Sequence, residues 1–261
     1  MLDELLIKGL HVEALRRDDL HAEHEPHVLF QASTIGALLS GAYEGDVTFA
    51  ELAEHGDLGL GTLNGLDGEM IAIDGRFYRA DVDGWVSEIG PDARTPFAVV
   101  DWFEPTVQLE IEPGEGAMAH DALLAEVDGR APAGSAALAL RIDGTFERVK
   151  ARSVPRQEPP YRPLAEAIAG QHVFELADVD GSMVGFRFPD YSQGIEAVGY
   201  HLHFITADRK RGGHVLDCRL GSGRARIDPS CNLHVELPAG VDLEAPDLSR
   251  ATREALAGVE G

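Results

Sequence analysis

The run GYHLHFITADRKRGGHVLDC, residues 199–218, concentrates the side chains best suited to chemistry. His201 and His203 are separated by one residue, a spacing that on a strand sends both imidazoles to the same face, about 6.6 Å apart along the backbone. His214 follows the turn-like ADRKRGG. An antiparallel hairpin centred near residues 208 and 209 sets His203 opposite His214, with Cβ atoms roughly 4.5 to 5.5 Å apart. Three neutral imidazoles suit Zn²⁺ and leave coordination positions open, as a catalytic rather than a closed structural site requires. Mn, Co and Fe are compatible with the same donors. A bare HxH is more often a buried pair satisfied by hydrogen bonds, and the third histidine at hairpin register is what favours a metal. Cys218, on the same strand, lies about 13 Å beyond His214 and reads as core. His21, His24 and His27 have helical spacing, but Pro26 interrupts them and no acidic or thiolate partner is implied, so they read as solvent-exposed.

Strands and turns must carry these rings. The spacing predicts a helix over 31–43 capped by Ser33, and a second, short one over 48–55, with Thr48 as cap, Glu51 three residues on and Gly56 as stop. From Leu58 the period becomes that of sheets. EMIAI and RFYRAD are joined by Asp74-Gly75, a dipeptide that favours a type I′ hairpin turn. Strands are expected at 97–103 and 107–111, a helix at 118–126, and two strands within 136–154 broken at Asp143-Gly144. RQEPPYRP is the best internal boundary. Beyond it come a helix at 164–170, strands at 172–177, 183–188, 199–205, 214–220, 224–227 and 232–237, and a closing helix at 246–259. The expected class is α+β: two domains of mixed or antiparallel sheets with short flanking helices and a C-terminal helix. The division is an N-terminal extension, 1–27, an α+β domain, 28–157, and a β-rich metal-binding domain, 158–261.

Composition narrows the field. The 261 residues include 45 Asp and Glu against 22 Lys and Arg, a formal charge of −23. That balance opposes nucleic-acid binding, whose affinity comes largely from phosphate-neutralising cations. An anionic substrate must then be held by local positive charge, such as a metal or a placed arginine. Two cysteines, Cys218 and Cys231, are too few for a disulfide framework. The opening MLDELLIKGLHVEALRRDD has no basic segment leading into an apolar run, and no stretch approaches the roughly 18 apolar residues of a spanning helix. A soluble, cytoplasmic protein without a membrane partner is the expectation.

Residues 30–69 (FQASTIGALLSGAYEGDVTFAELAEHGDLGLGTLNGLDGE), 149–164 (VKARSVPRQEPPYRPL) and 199–218 together resemble the alpha-acetolactate decarboxylase family. The resemblance covers nearly everything after the N-terminal extension. It implies that His201, His203 and His214 hold zinc, that the LDGE glutamate is Glu69, that the GT threonine is Thr62, a substrate-binding residue, and that the active-site arginine is Arg152. It also implies a glutamate near the C-terminus, for which the ending VEG favours Glu260 over Glu254 in REA, and a homodimer. The implied reaction is decarboxylation of 2-acetolactate to acetoin and CO₂ through a metal-bound enediolate, in acetoin and butanediol biosynthesis.

The residue types fit that chemistry. Loss of CO₂ leaves electrons that must flow into the neighbouring carbonyl, and an open Zn²⁺ serves as the Lewis acid without thiamine or pyridoxal. Arg152 can grip the carboxylate at two points. Glu69 and the tail glutamate are candidates for orienting the hydroxyl and delivering a proton, a role that requires a raised pKa. Taken alone, each glutamate reads as a surface carboxylate, and Arg152 reads equally as a salt-bridged strand arginine. Two rival readings stand beside this one: a zinc hydrolase using the same three histidines with Glu69 as base, and a non-catalytic metal-binding or nucleic-acid module.

Overall fold

A computed structural model describes residues 10–15, 26–112, 116–132 and 136–237. The expected closing helix, Glu254, Glu260, His21 and His24 lie outside the described residues. In chain order the elements are β1 (His11–Leu15), β2 (Val28–Ala32), α1 (Ile35–Leu39), β3 (Val47–Thr48), α2 (Phe49–Leu52), β4 (Leu58–Thr62), β5 (Glu69–Ile73), β6 (Arg76–Ala80), β7 (Val86–Glu88), β8 (Arg94–Thr95), β9 (Ala98–Asp101), β10 (Val107–Ile111), β11 (Met118–Ala119), α3 (His120–Arg130), β12 (Ala137–Ser153), α4 (Leu164–Ala167), β13 (His172–Phe188), β14 (Gly199–Thr206), β15 (Gly212–Ser230) and β16 (Asn232–Glu236). The described residues are mostly β-sheet, with few and short helices.

Eight strands form a mixed sheet in the order β1-β16-β2-β9-β4-β5-β6-β7, with β16 parallel to both β1 and β2. A second, antiparallel sheet runs β10-β15-β12-β13-β14, and β14 pairs with β15 as well, so that β12, β13, β14 and β15 close into a ring. Strand β12, N-terminal to the expected boundary at 157, lies between β13 and β15, and β16 returns to the first sheet.

Local sequence explains several elements. Thr48 and Glu51 form the reciprocal capping box that opens α2. Asp74 and Gly75 both take positive φ, 53° and 71°, as a type I′ turn demands, and join β5 to β6. The helix expected over 31–43 is shorter: α1 begins at Ile35, and its cap is Thr34, whose side chain accepts a hydrogen bond from the Ala37 amide, rather than Ser33. Gln31 belongs to β2, where its buried amide donates to the carbonyls of Ser33 and Ile195.

The break expected at Asp143-Gly144 does not occur, because β12 runs through it without a turn. A Cβ on Gly144 would approach the Ser222 carbonyl oxygen to 2.3 Å, so this glycine permits close strand packing. The strands expected at 172–177 and 183–188 likewise fuse into β13, and those at 214–220 and 224–227 into β15.

Alternation along the strands sorts side chains into layers. One face of the first sheet packs Met70, Ala72 and Val100 on Phe49 and Leu52 of α2. Its other face sends Leu60, Ile71 and Val99 against Val184, Phe186 and Ile205 of the second sheet. The opposite face of that second sheet buries Leu202, Phe204 and Met183 with Leu123 and Val127 of α3. His201 and His203 alternate with Leu202 and Phe204 and therefore share the face of Ile205, in the seam between the sheets.

Candidate metal centre and active site

The β14–β15 hairpin has the expected register, with His203 directly opposite His214. Ring centroids lie 5.2 Å apart for His201–His203, 5.1 Å for His201–His214 and 5.3 Å for His203–His214. One nitrogen from each ring can be chosen so that all three lie within 4.8 Å of one another, and all three residues are buried.

The donor set suits a cation. Nδ1 of His203 is 2.8 Å from the Met70 carbonyl oxygen. Donation from Nδ1–H to that oxygen leaves the Nε2 lone pair for a ligand. His203 Nε2 and His201 Nδ1 are buried without a hydrogen-bond partner, a costly condition that coordination relieves. Burial, reinforced by the Arg152 cation, lowers the pKa of His201 to about 3. Burial and the neighbouring His201 hold His203 well below its ordinary value. Burial and Arg152 do the same for His214. All three rings are thus neutral at physiological pH, the state in which imidazole binds a metal.

Three further residues expected from the sequence converge here. Arg152 sits in β12 directly beside His214. Its Nη1 is 3.5 Å from Glu69 Oε1, while Glu69 Oε2 is 3.5 Å from His203 Nε2. Both side chains are nearly buried. Glu69 shares the seam-facing side of β5 with Ile71 and pairs with Thr62 across β4. The Thr62 hydroxyl donates to the Gly68 carbonyl at 2.8 Å, which leaves its oxygen lone pairs to accept from a ligand. Thr62, Glu69, Arg152, His201 and His214 line one open pocket.

The sequence reading missed the rest of the pocket. Ile35 and Leu38 of α1, Phe97, Val154, Leu164 of α4 and Ile168 just after it give the pocket an apolar wall. Nothing in their spacing distinguishes them from ordinary core. The Met70 carbonyl was equally invisible, although the alternation that points Glu69 into the seam could have directed attention to its neighbour. His27 requires a correction: it has an acidic partner, with Nδ1 2.5 Å from Asp228 Oδ1. Cys218 is buried with its Sγ 3.4 Å from His120 Nδ1, and burial pushes its thiol pKa up to about 12. It faces the α3 side of the second sheet, away from the histidines.

A family model described as alpha-acetolactate decarboxylase matches residues 29–250. The chain is 43% identical over 257 residues to the alpha-acetolactate decarboxylase of Methylococcus capsulatus, covering 98% of this chain and 97% of that protein. It is 45% identical over 219 residues to that of Klebsiella aerogenes, covering 84% and 83%. Among solved structures, alpha-acetolactate decarboxylase from Bacillus subtilis strain 168 superposes with a TM-score of 0.84 at 36% identity, covering 90% of this chain and 99% of that one. With the match extending over most of the sequence and of the fold, the chain belongs to the alpha-acetolactate decarboxylase family and is a carboxy-lyase.

Proposed function

We propose that this chain decarboxylates 2-acetolactate to acetoin and CO₂, with His201, His203 and His214 holding a divalent transition metal, Zn²⁺ foremost. The observation that carries this reading is the adjacency of three buried neutral imidazoles, one buried guanidinium and one buried carboxylate. When bound, the metal would supply a Lewis acid for the negative charge that builds as CO₂ departs toward an enediolate.

The chain's own residues do the rest. Arg152 holds the substrate carboxylate, placing an anion on a protein whose net charge repels it. Thr62 accepts from the substrate hydroxyl and orients it. Glu69, set between Arg152 and His203, carries the proton to the carbon that loses CO₂. Glu260, favoured over Glu254, is the second proton-handling carboxylate. The apolar wall takes the methyl groups and excludes water. A cytoplasmic homodimer completes the reading, and the two free cysteines suit a reducing compartment.

The test is metal analysis of the purified protein beside an acetoin assay. Chelation should abolish acetoin formation and Zn²⁺ should restore it, and alanine at any of the three histidines should reproduce the loss. Full turnover in a metal-free preparation would falsify the metal-dependent reading. Ester cleavage without acetoin would establish the hydrolase instead.

A further inference from the structure

The turn between β4 and β5, which delivers Glu69 to the pocket, is held from several sides. Within it Gly65, Leu66 and Gly68 take φ of 73°, 54° and 88°. A leucine in that region persists only where its surroundings determine the backbone. The Asn64 side chain bonds Gly45 twice, its oxygen accepting from the Gly45 amide and its NH₂ donating to the Gly45 carbonyl, each at 3.0 Å. The Gly65 amide donates to Tyr43 at 2.7 Å, and the Gly65 carbonyl accepts from the Gln157 amide at 2.6 Å.

Asp67 is the charged member of this turn and has two partners. Its Oδ1 is 2.9 Å from Arg79 Nη2 on β6, and its Oδ2 is 3.4 Å from Arg156 Nη1. Arg79 lies opposite Met70, the residue whose carbonyl meets His203. Arg156 belongs to the segment that leaves β12 just after Arg152. One carboxylate therefore joins the turn before Glu69, the strand beside β5 and the chain running out from Arg152.

We propose that Asp67 is a positioning residue: its paired contacts with Arg79 and Arg156 hold the turn that presents Glu69, and so fix the 3.5 Å approaches of Glu69 to Arg152 and His203. Arg152 is held by its register with Val173 and His214, whereas Glu69 is the first residue of β5, next to the clamped turn, so loosening the clamp displaces Glu69 more than the guanidinium. The effect falls on turnover, because small misplacements of a reacting group are expensive in rate. It spares stability, because partly exposed ion pairs contribute little. The proposal rests on the function given above.

The experiment measures kcat and KM for acetoin formation from acetolactate, with thermal melts, for the metal-loaded full chain and for Asp67→Asn, Asp67→Glu, Arg79→Gln and the Asp67→Asn/Arg79→Gln double variant. Asp67→Asn should lower kcat about tenfold with KM within about twofold, at nearly unchanged melting temperature. Asp67→Glu should recover part of the loss, and the double variant should be no worse than its more impaired parent. If Asp67→Asn does not fold, Arg79→Gln carries the test, with the same kcat loss expected. A kcat within twofold of the parent, losses that multiply in the double variant, or a rise in KM at constant kcat overturns the proposal. A parent protein that forms no acetoin overturns the activity itself, and the proposal with it.

Discussion

Exchanging Arg152 for lysine keeps a cation in the pocket while removing the planar fork. The Arg152 side chain is 5% exposed and its Nη1 lies 3.5 Å from Glu69 Oε1. An ammonium at this depth still neutralises Glu69, so the penalty of about 3–5 kcal/mol for stranding one member of a buried ion pair does not arise. On the proposed reading, what is lost is one point of a two-point grip on the substrate carboxylate. A hydrogen bond to a charged group contributes about 1.5–3 kcal/mol. That range corresponds to a fall in kcat/KM of about 10- to 150-fold. Initial rates of acetoin formation, resolved into kcat and KM at matched metal content, measure the fall, and a thermal melt verifies the fold. A lysine variant within twofold of the parent, equally metallated and equally stable, would show that Arg152 pairs only with Glu69 and does not hold substrate.

Glu69→Gln should retain the proposed metal and lose most turnover, since the change removes the proposed proton carrier while keeping size; loss of the metal instead would place Glu69 among the ligands. Asp101 is 1% exposed, both carboxylate oxygens lack a hydrogen-bond partner, and burial, then Asp228, Asp57 and Glu104, raise its pKa well above the usual carboxylate range. From about pH 3.9 up to that raised value the folded state binds the extra proton, so stability falls as pH rises through this window, by at most about 1.4 kcal/mol per pH unit. Asp101→Asn should flatten the pH dependence of the melting temperature, and curves that remain parallel would remove Asp101 as its cause. In the tail, Glu260→Gln should impair turnover with fold and metal intact while Glu254→Gln is nearly silent; the reverse result would exchange their roles.

Features encoded in short spacing were legible in the sequence. The HxH alternation, the centre of the hairpin that pairs His203 with His214, the Asp74-Gly75 turn and the Thr48 capping box each depend on a few neighbouring residues. Glycine was harder to read. At Asp143-Gly144 the same dipeptide type that turns the chain at 74–75 marks a crossing too close for a side chain, and only the partner strand distinguishes the two. Thr62, Glu69 and Arg152 have no telling spacing and emerged through family resemblance. The partners that complete the picture are remote or belong to the backbone: Asp228 lies 201 positions from His27, and the group that orients His203 is the carbonyl of Met70. Such contacts leave no imprint on residue type.

The closed ring of strands bears on how the proposed metal would be taken up. His203 is paired on both sides, to Val184 and His214, and His214 in turn to His203 and Arg152. Small zinc domains spend metal affinity on folding the chain, whereas these histidines stand on strands that are ordered by their own ladders. Preorganisation on this scale uncouples occupancy from integrity. The stripped protein should keep slow amide exchange across residues 203–205 and 212–215, and reconstitution should proceed at the speed of ion entry, with no refolding phase. On the proposed metal-dependent reading, metal supply would act as a throttle on catalysis while the amount of folded protein stays constant.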